Sequence, residues 1–304
     1  MNRTRDPSGE DPIPGREAAP GIRGFVASDG VRLAYRDEGS GPVLLCLPGL
    51  TRNGADFASV AAQFADRARV IRLDFRGRGC SAHSPDHRDY NILREARDVL
   101  ELADSLGIAR FAVLGTSRGG LVAMALASLA PERMTGAILN DIGPEVAPEG
   151  LSRIMDYLGV TPGDADLDAA AARLAAGSRA GFPGVPLAVW RRQAAAVWRE
   201  LPGGGLALRY DPKLRAAFAE QPAGGVIFDL WPQFDRLGEK PLLLLRGANS
   251  DVLAPGVAAR MRARWPHLRY LELADRGHVP FLDEPEARAA IETFIAELGR
   301  EIGA

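Results

Sequence analysis

Along most of this chain, short apolar runs alternate with stretches whose apolar residues recur at helical spacing. Residues 24–39, GFVASDGVRLAYRDEG, read as two strands joined at Asp29-Gly30, a dipeptide that favours a hairpin turn. PVLLCLPG (42–49) is an unbroken apolar run closed by Pro and Gly, the pattern of a buried strand. Helical spacing follows over 55–67. A strand with a glycine-rich exit follows over 68–79, and an amphipathic helix over 90–107 stops at Gly107. RFAVLG (110–115) predicts a strand, 119–129 a helix, and MTGAILNDIGP (134–144) another strand with its exit loop. The rhythm resumes near the end: strand (240–247), helix (254–265), strand (268–275), helix (284–301).

Such alternation predicts an α/β fold, a mostly parallel sheet with helices on both faces. Between these halves the pattern changes. Residues 147–228 lack buried-strand runs and are rich in Ala, Arg, Gly and Pro; in PLAVWRRQAAAVWREL (186–201), Trp190, Ala194, Val197 and Leu201 share one helical face. The expected organisation is a core domain of 22–146 and 229–304, a helical cap over 147–228, and a disordered tail over 1–21, whose Pro, Gly and charge content suits no packed core.

One junction stands out. In FAVLGTSRGGLVAMALA (111–127), an apolar strand turns into a helix at Gly115-Thr116-Ser117-Arg118-Gly119-Gly120. A tight strand-to-helix turn lifts a side chain clear of the packed layers and brings neighbouring backbone close, which demands small residues. A serine hydroxyl there is reachable by substrate but is a weak nucleophile until a base takes its proton. The first N–H of the following helix points at the same place, where partial positive charge favours an anion.

Composition narrows the choices. With 304 residues, 46% hydrophobic, 25% charged and a net charge of −2, the chain suits one large α/β domain or two ordinary ones and carries no electrostatic footprint for nucleic acid or an anionic membrane. No apolar run approaches a membrane span, and the first residues lack a signal-peptide core, which points to the cytoplasm. The two cysteines, Cys46 and Cys80, and the four histidines show no metal-ligand spacing, and Cys46 reads as a reduced core residue. No metal or cofactor is called for, and the expected partner is a small molecule, with assembly into a homo-oligomer left open.

The glycine-flanked serine, together with three other stretches, resembles the α/β-hydrolase superfamily over roughly residues 22–300, and its turn is similar to that family's nucleophile elbow. LCLPGL (45–50) stands where the family usually has His-Gly; here it is Pro48-Gly49. LDFRGRGCS (73–81) is similar to the family's Asp-x-Arg-Gly-x-Gly-x-Ser stretch, which has a bracing role there. In ADRGHVPFLDEP (274–285), His278 falls between the last strand and last helix, where the family keeps its general base.

The resemblance implies Ser117 as nucleophile, His278 as base, and the N–H groups of Leu50 and Arg118 as oxyanion donors. Two acids compete. Asp251, in LRGANSDVLAP, follows the strand where the superfamily most often places its acid, but comes one residue late, with Ser250 at the expected offset. Asp141, in LNDIGP, ends the preceding strand, where some branches place it. Asp251 is preferred, leaving Asp141 to pair with a cation such as Arg118. Arg118, unusual directly after the nucleophile, suits either a substrate carboxylate or an internal ion pair. Trp190 and Trp231, with Trp198 and Phe218, are candidates for an apolar acyl pocket or for packing within the cap. The expected activity is hydrolysis of a carboxylic ester, lactone or activated amide through an acyl-enzyme. Carbon–carbon hydrolysis of diketone ring-cleavage products and ligand binding without catalysis are the alternatives.

Overall fold

The computed structural model describes residues 21–220 and 229–302. The expected tail therefore lies, apart from Gly21, outside the described residues, as does 221–228 of the expected cap.

The chain opens with β1 (Arg23–Val26) and β2 (Arg32–Glu38), an antiparallel pair joined through Gly30 at φ 84°. β3 (Val43–Leu47), α1 (Ala58–Phe64), β4 (Arg69–Leu73), α2 (Ile92–Ser105), β5 (Phe111–Thr116), α3 (Arg118–Leu129) and β6 (Met134–Asn140) follow. The inserted segment carries α4 (Pro148–Tyr157), α5 (Leu167–Gly177), α6 (Leu187–Val197), β7 (Trp198–Glu200), β8 (Leu206–Leu208) and α7 (Leu214–Ala219). The core then continues through α8 (Trp231–Gly238), β9 (Leu242–Gly247), α9 (Pro255–Arg264), β10 (Arg269–Leu273) and α10 (Pro285–Ile302).

Eight strands form one sheet in the order β1-β2-β4-β3-β5-β6-β9-β10, parallel from β4 onward. Side chains alternate across a strand, and the apolar runs divide accordingly. Leu45, Leu47, Val113, Leu139 and Leu244 face a layer completed by α2, α3, α8 and α9. Leu44, Cys46, Leu114, Ile138 and Leu245 face the opposite layer, completed by α1 and α10. Helices on both faces leave no wet side, which is why the central strands read as unbroken apolar runs. Cys46 is fully buried, and burial pushes its thiol pKa up.

The inserted segment departs from the sequence reading in one respect. The helix predicted to run to Leu201 ends at Val197, and the chain turns extended into the β7–β8 hairpin. Trp198 folds back among Trp190, Ala194 and Leu206, and Gly204 and Gly205, at φ 85° and 79°, close the loop between the strands. Leu201 is consequently exposed rather than on a buried helical face.

The glycines around the β5–α3 junction set the limits of this packing. A Cβ on Gly119 would collide with the carbonyl oxygen of Leu47, and one on Gly115 would lie 2.5 Å from the backbone of Gly119 and Gly120. The obstacles are backbone atoms of the central sheet and of α3, which cannot move aside as a flexible side chain would. Gly119→Ala should therefore destabilise the fold by about 1–3 kcal/mol or more, the cost of overpacking a dense interior. Urea denaturation measures this, and an unchanged midpoint would contradict the packing argument.

Candidate active site

Ser117 stands between β5 and α3 at φ 50°, ψ −114°, a left-handed conformation that costs a non-glycine residue energy and that surrounding structure must enforce. Its N–H donates to the carbonyl of Asn140 at 3.0 Å, fixing the turn to the end of β6. The hydroxyl donates to Nε2 of His278 at 2.9 Å, and Nδ1 of His278 donates to Oδ2 of Asp141 at 2.7 Å. A carboxylate can only accept, so the proton between the last two belongs to Nδ1, which leaves Nε2 facing the serine as acceptor. Asp141 is fully buried, whereas the His278 side chain keeps 12% of its surface accessible.

This corrects the preference for Asp251. Ser250 occupies the offset at which an acid was expected, and its hydroxyl donates to Asp141 Oδ2 at 2.6 Å. Asp251, one residue further round the turn, pairs instead with Arg153 of α4, whose Nη2 donates to it at 2.8 Å. Asp141 is held from three sides: Gly247 N–H donates to Oδ1 at 2.9 Å, while Ser250 and His278 share Oδ2. Like Ser117, it has a positive φ, 57°, which turns its side chain back across the end of the sheet.

Arg118 does not meet Asp141 and does not open to a ligand. Its guanidinium, 6% exposed, donates through Nε to Glu95 at 2.7 Å and through Nη2 to the Tyr90 carbonyl at 2.9 Å. The reading of its side chain as a substrate contact is thereby replaced by the internal ion pair. Glu95 also faces Arg78, at 2.9 Å, and Arg78 donates to the Leu50 carbonyl at 2.9 Å. Both Arg78 and Glu95 are fully buried. Burial lowers the Arg78 pKa to about 10, against the pull of Glu95, and its guanidinium lies over the Tyr90 and Phe75 rings. The turn that carries Leu50 thus rests on this cluster. Gly49 lies beside Ser117, since a Cβ there would be 3.9 Å from the serine Cβ. The N–H of Arg118, first in α3, has no intrahelical acceptor.

The stretch 73–81 braces the same region. Asp74 accepts from Gly54 N–H at 2.7 Å and Cys80 N–H at 2.8 Å, tying two loops together; burial pushes its carboxyl pKa up while those two bonds oppose the rise.

The structure places the tryptophans in packed clusters. Trp190 is 6% exposed, set edge-on to Phe182 and to Phe281 of the His278 loop. Trp231 packs on Phe234, donates to Glu145 at 2.6 Å and lies between Arg260 and Arg264. Trp198 packs beneath Arg173, and Phe218 joins the cluster around Tyr210.

Several site residues were missed in the sequence. Asn140 donates to Thr116 Oγ1 at 3.2 Å and to the Pro280 carbonyl at 3.1 Å, joining the strand ends to the histidine loop. Arg52 grips Asp56 through two bonds and reaches Gln193 of α6 at 2.6 Å. Only Glu95 left a signal: a charge on the apolar face of the helix predicted over 90–107.

Known proteins share this arrangement of elements. The chain is 35% identical over 272 residues to a 3-hydroxybutyrate-oligomer hydrolase of Cupriavidus necator, covering 86% of this chain and 92% of that one. It is 28% identical to a 2-(acetamidomethylene)succinate hydrolase of Mesorhizobium japonicum over 87% of this chain and 92% of the other. The crystal structure of an alpha/beta hydrolase from Novosphingobium aromaticivorans superposes with a TM-score of 0.85 at 39% identity, over 92% of this chain and 99% of that one. A profile described as alpha/beta hydrolase fold matches residues 42–285, and the chain belongs to that family.

Proposed function

We propose that this protein hydrolyses a carboxylic ester through an acyl-enzyme on Ser117, and that short linear oligoesters of 3-hydroxybutyrate are its substrate class. The observation that carries the reading is the unbroken hydrogen-bond path from Asp141 through His278 to the Ser117 hydroxyl. Ser117 attacks the ester carbonyl as His278 Nε2 takes its proton. The oxyanion is held by the N–H groups of Leu50 and Arg118, an arrangement in which a single donor contributes about 10²–10³-fold in rate. His278 then returns the proton to the leaving alcohol, and water repeats the sequence to release the acid. Asp141 keeps the imidazole in the required tautomer and stabilises the imidazolium.

The oligoester reading is supported by the relative from Cupriavidus necator, and the relative acting on an acetamidomethylene succinate keeps activated amides within the same chemistry. Since Arg118 is engaged internally, the carboxylate end of such an oligomer would be met from the inserted segment, acting as a cap. There Tyr157 stands half exposed on α4, the helix whose Arg153 pairs with Asp251 at the rim.

Ser117→Ala should abolish both labelling by a fluorophosphonate and hydrolysis of 3-hydroxybutyrate dimer and trimer, with a loss of at least about 10³-fold in kcat. Retained turnover by that variant would refute the nucleophile. Asp141→Asn should lower kcat by about 10³–10⁴-fold. Asp251→Asn, which breaks only a rim ion pair, should change it by no more than about twofold. The reverse ranking, measured with p-nitrophenyl butyrate, would return the acid to Asp251.

A further inference from the structure

We infer that Ser250 is a positioning residue for the acid: its hydroxyl is a dedicated donor that aims Asp141 at His278 from the very seat that a carboxylate on β9 would fill. This rests on the reading of Ser117, His278 and Asp141 as the reacting set.

The Ser250 hydroxyl has one proton and two lone pairs. Val252 N–H at 3.3 Å and Leu253 N–H at 3.1 Å donate to its oxygen, so its proton is left for Asp141 Oδ2, at 2.6 Å. The turn that presents it is itself fixed: Ser250 N–H donates to the Gly247 carbonyl at 2.9 Å, and Gly247 N–H donates to the other Asp141 oxygen at 2.9 Å. Ser250 Oγ and His278 Nδ1 therefore converge on one oxygen atom of a fully buried carboxylate. Without the hydroxyl, Oδ2 would keep only the imidazole, and the carboxylate could turn about the single bond to Gly247.

β6 and β9 are neighbours in the sheet, with Asn140 opposite Leu245, so an acid at the end of either strand can reach the same imidazole. A carboxylate at position 250 would extend beyond the present Oγ towards Nδ1, and it could still accept from Val252 and Leu253. Position 250 is in this sense the second half of a divided acid site, with a donor in the turn after β9 and an acceptor just past the end of β6.

The test compares Ser250→Ala, Ser250→Thr, Asp141→Asn, Ser250→Asp and the Ser250→Asp/Asp141→Asn double variant. Each is followed by thermal unfolding, by kcat and KM for p-nitrophenyl butyrate, and by the low-field proton NMR resonance of His278 Nδ1–H. A lost hydrogen bond to a charged group corresponds to about ten- to a hundredfold in rate. Ser250→Ala should therefore lower kcat by about tenfold or more at unchanged KM and shift the resonance, while Ser250→Thr restores both. Ser250→Asp should lower kcat in the wild-type background, where two carboxylates would crowd one imidazole. It should raise kcat at least about tenfold in the Asp141→Asn background and bring back the resonance that Asp141→Asn loses. A Ser250→Ala protein with wild-type kcat and an unmoved resonance would overturn the inference. So would folded double variants no more active than Asp141→Asn. The resonance is read without substrate: if it moves as stated while the wild-type protein cleaves no ester, the hydrolase reading fails and the positioning role stands.

Discussion

The arrangement at the strand ends depends on how closely α3 can approach the sheet. Gly119 presses on the Leu47 carbonyl and Gly115 on the first turn of α3, distances only glycine allows. That closeness forces the turn between β5 and α3 to be abrupt, and the abruptness puts Ser117 at φ 50° with its hydroxyl above the sheet. It also brings Gly49 against the serine, so the backbone groups after β3 and at the start of α3 both border it. A looser junction would relax the serine backbone and separate those groups at once. The strain is held by burial around it, as strained backbone at such sites generally must be.

Beneath this turn the protein buries two guanidinium groups, Arg78 and Arg118, around one carboxylate, Glu95. Desolvating charges is costly, and a buried pair seldom stabilises a fold beyond what apolar residues would do. What the cluster supplies is position. Arg78 fixes the carbonyl of Leu50, Arg118 fixes that of Tyr90, and the Tyr90 hydroxyl donates to Asp211 at 2.6 Å, which reaches the inserted segment. A hydrocarbon core at the same place would fill the volume but would leave these carbonyls without donors.

The fold was legible because strands buried on both faces announce themselves as apolar runs, and the glycine spacing around Ser117 announces the turn. Which of the two acids meets His278 was not legible, for a reason visible in the sheet. β6 and β9 are adjacent and parallel, so Asp141 and Asp251 begin from neighbouring positions, and composition says nothing of which way each loop turns. A single residue of offset decides it: Ser250 points inward, and Asp251 is carried round to Arg153. The β7–β8 hairpin was missed because three-residue strands are too short to show alternation, and Trp198 continues the helical spacing of Trp190 and Ala194 while lying in a strand. Arg118 was ambiguous because its partner, Glu95, lies on another helix, and sequence spacing carries no information about that approach.

The inserted segment is fastened to the core by backbone groups as much as by side chains, and this bears on what it can do. Gly79 N–H donates to Arg209 O at 2.8 Å, Asp211 N–H to Gly77 O at 2.7 Å, and Asn53 Nδ2 to Ala196 O at 2.6 Å. These bonds bind the β8 end and the end of α6 to the loops that follow β3 and β4, beside Leu50. At the opposite edge, Phe182 stacks on Phe281 with ring centroids 5.3 Å apart, and Arg153 holds Asp251. One side is thus joined through short directional bonds to the loops beside Leu50; the other is joined through ring contact, the Arg153–Asp251 ion pair, a bond from Asn249 Nδ2 to Gly181 O at 3.2 Å and one from Ala147 N–H to Val252 O at 2.9 Å. Directional bonds resist sliding, whereas apolar and ionic contacts tolerate it. The fastening is densest beside Leu50, so that edge of the segment should be the last to part from the core, which amide exchange would report as slower at Gly79 and Asp211 than at Gly181.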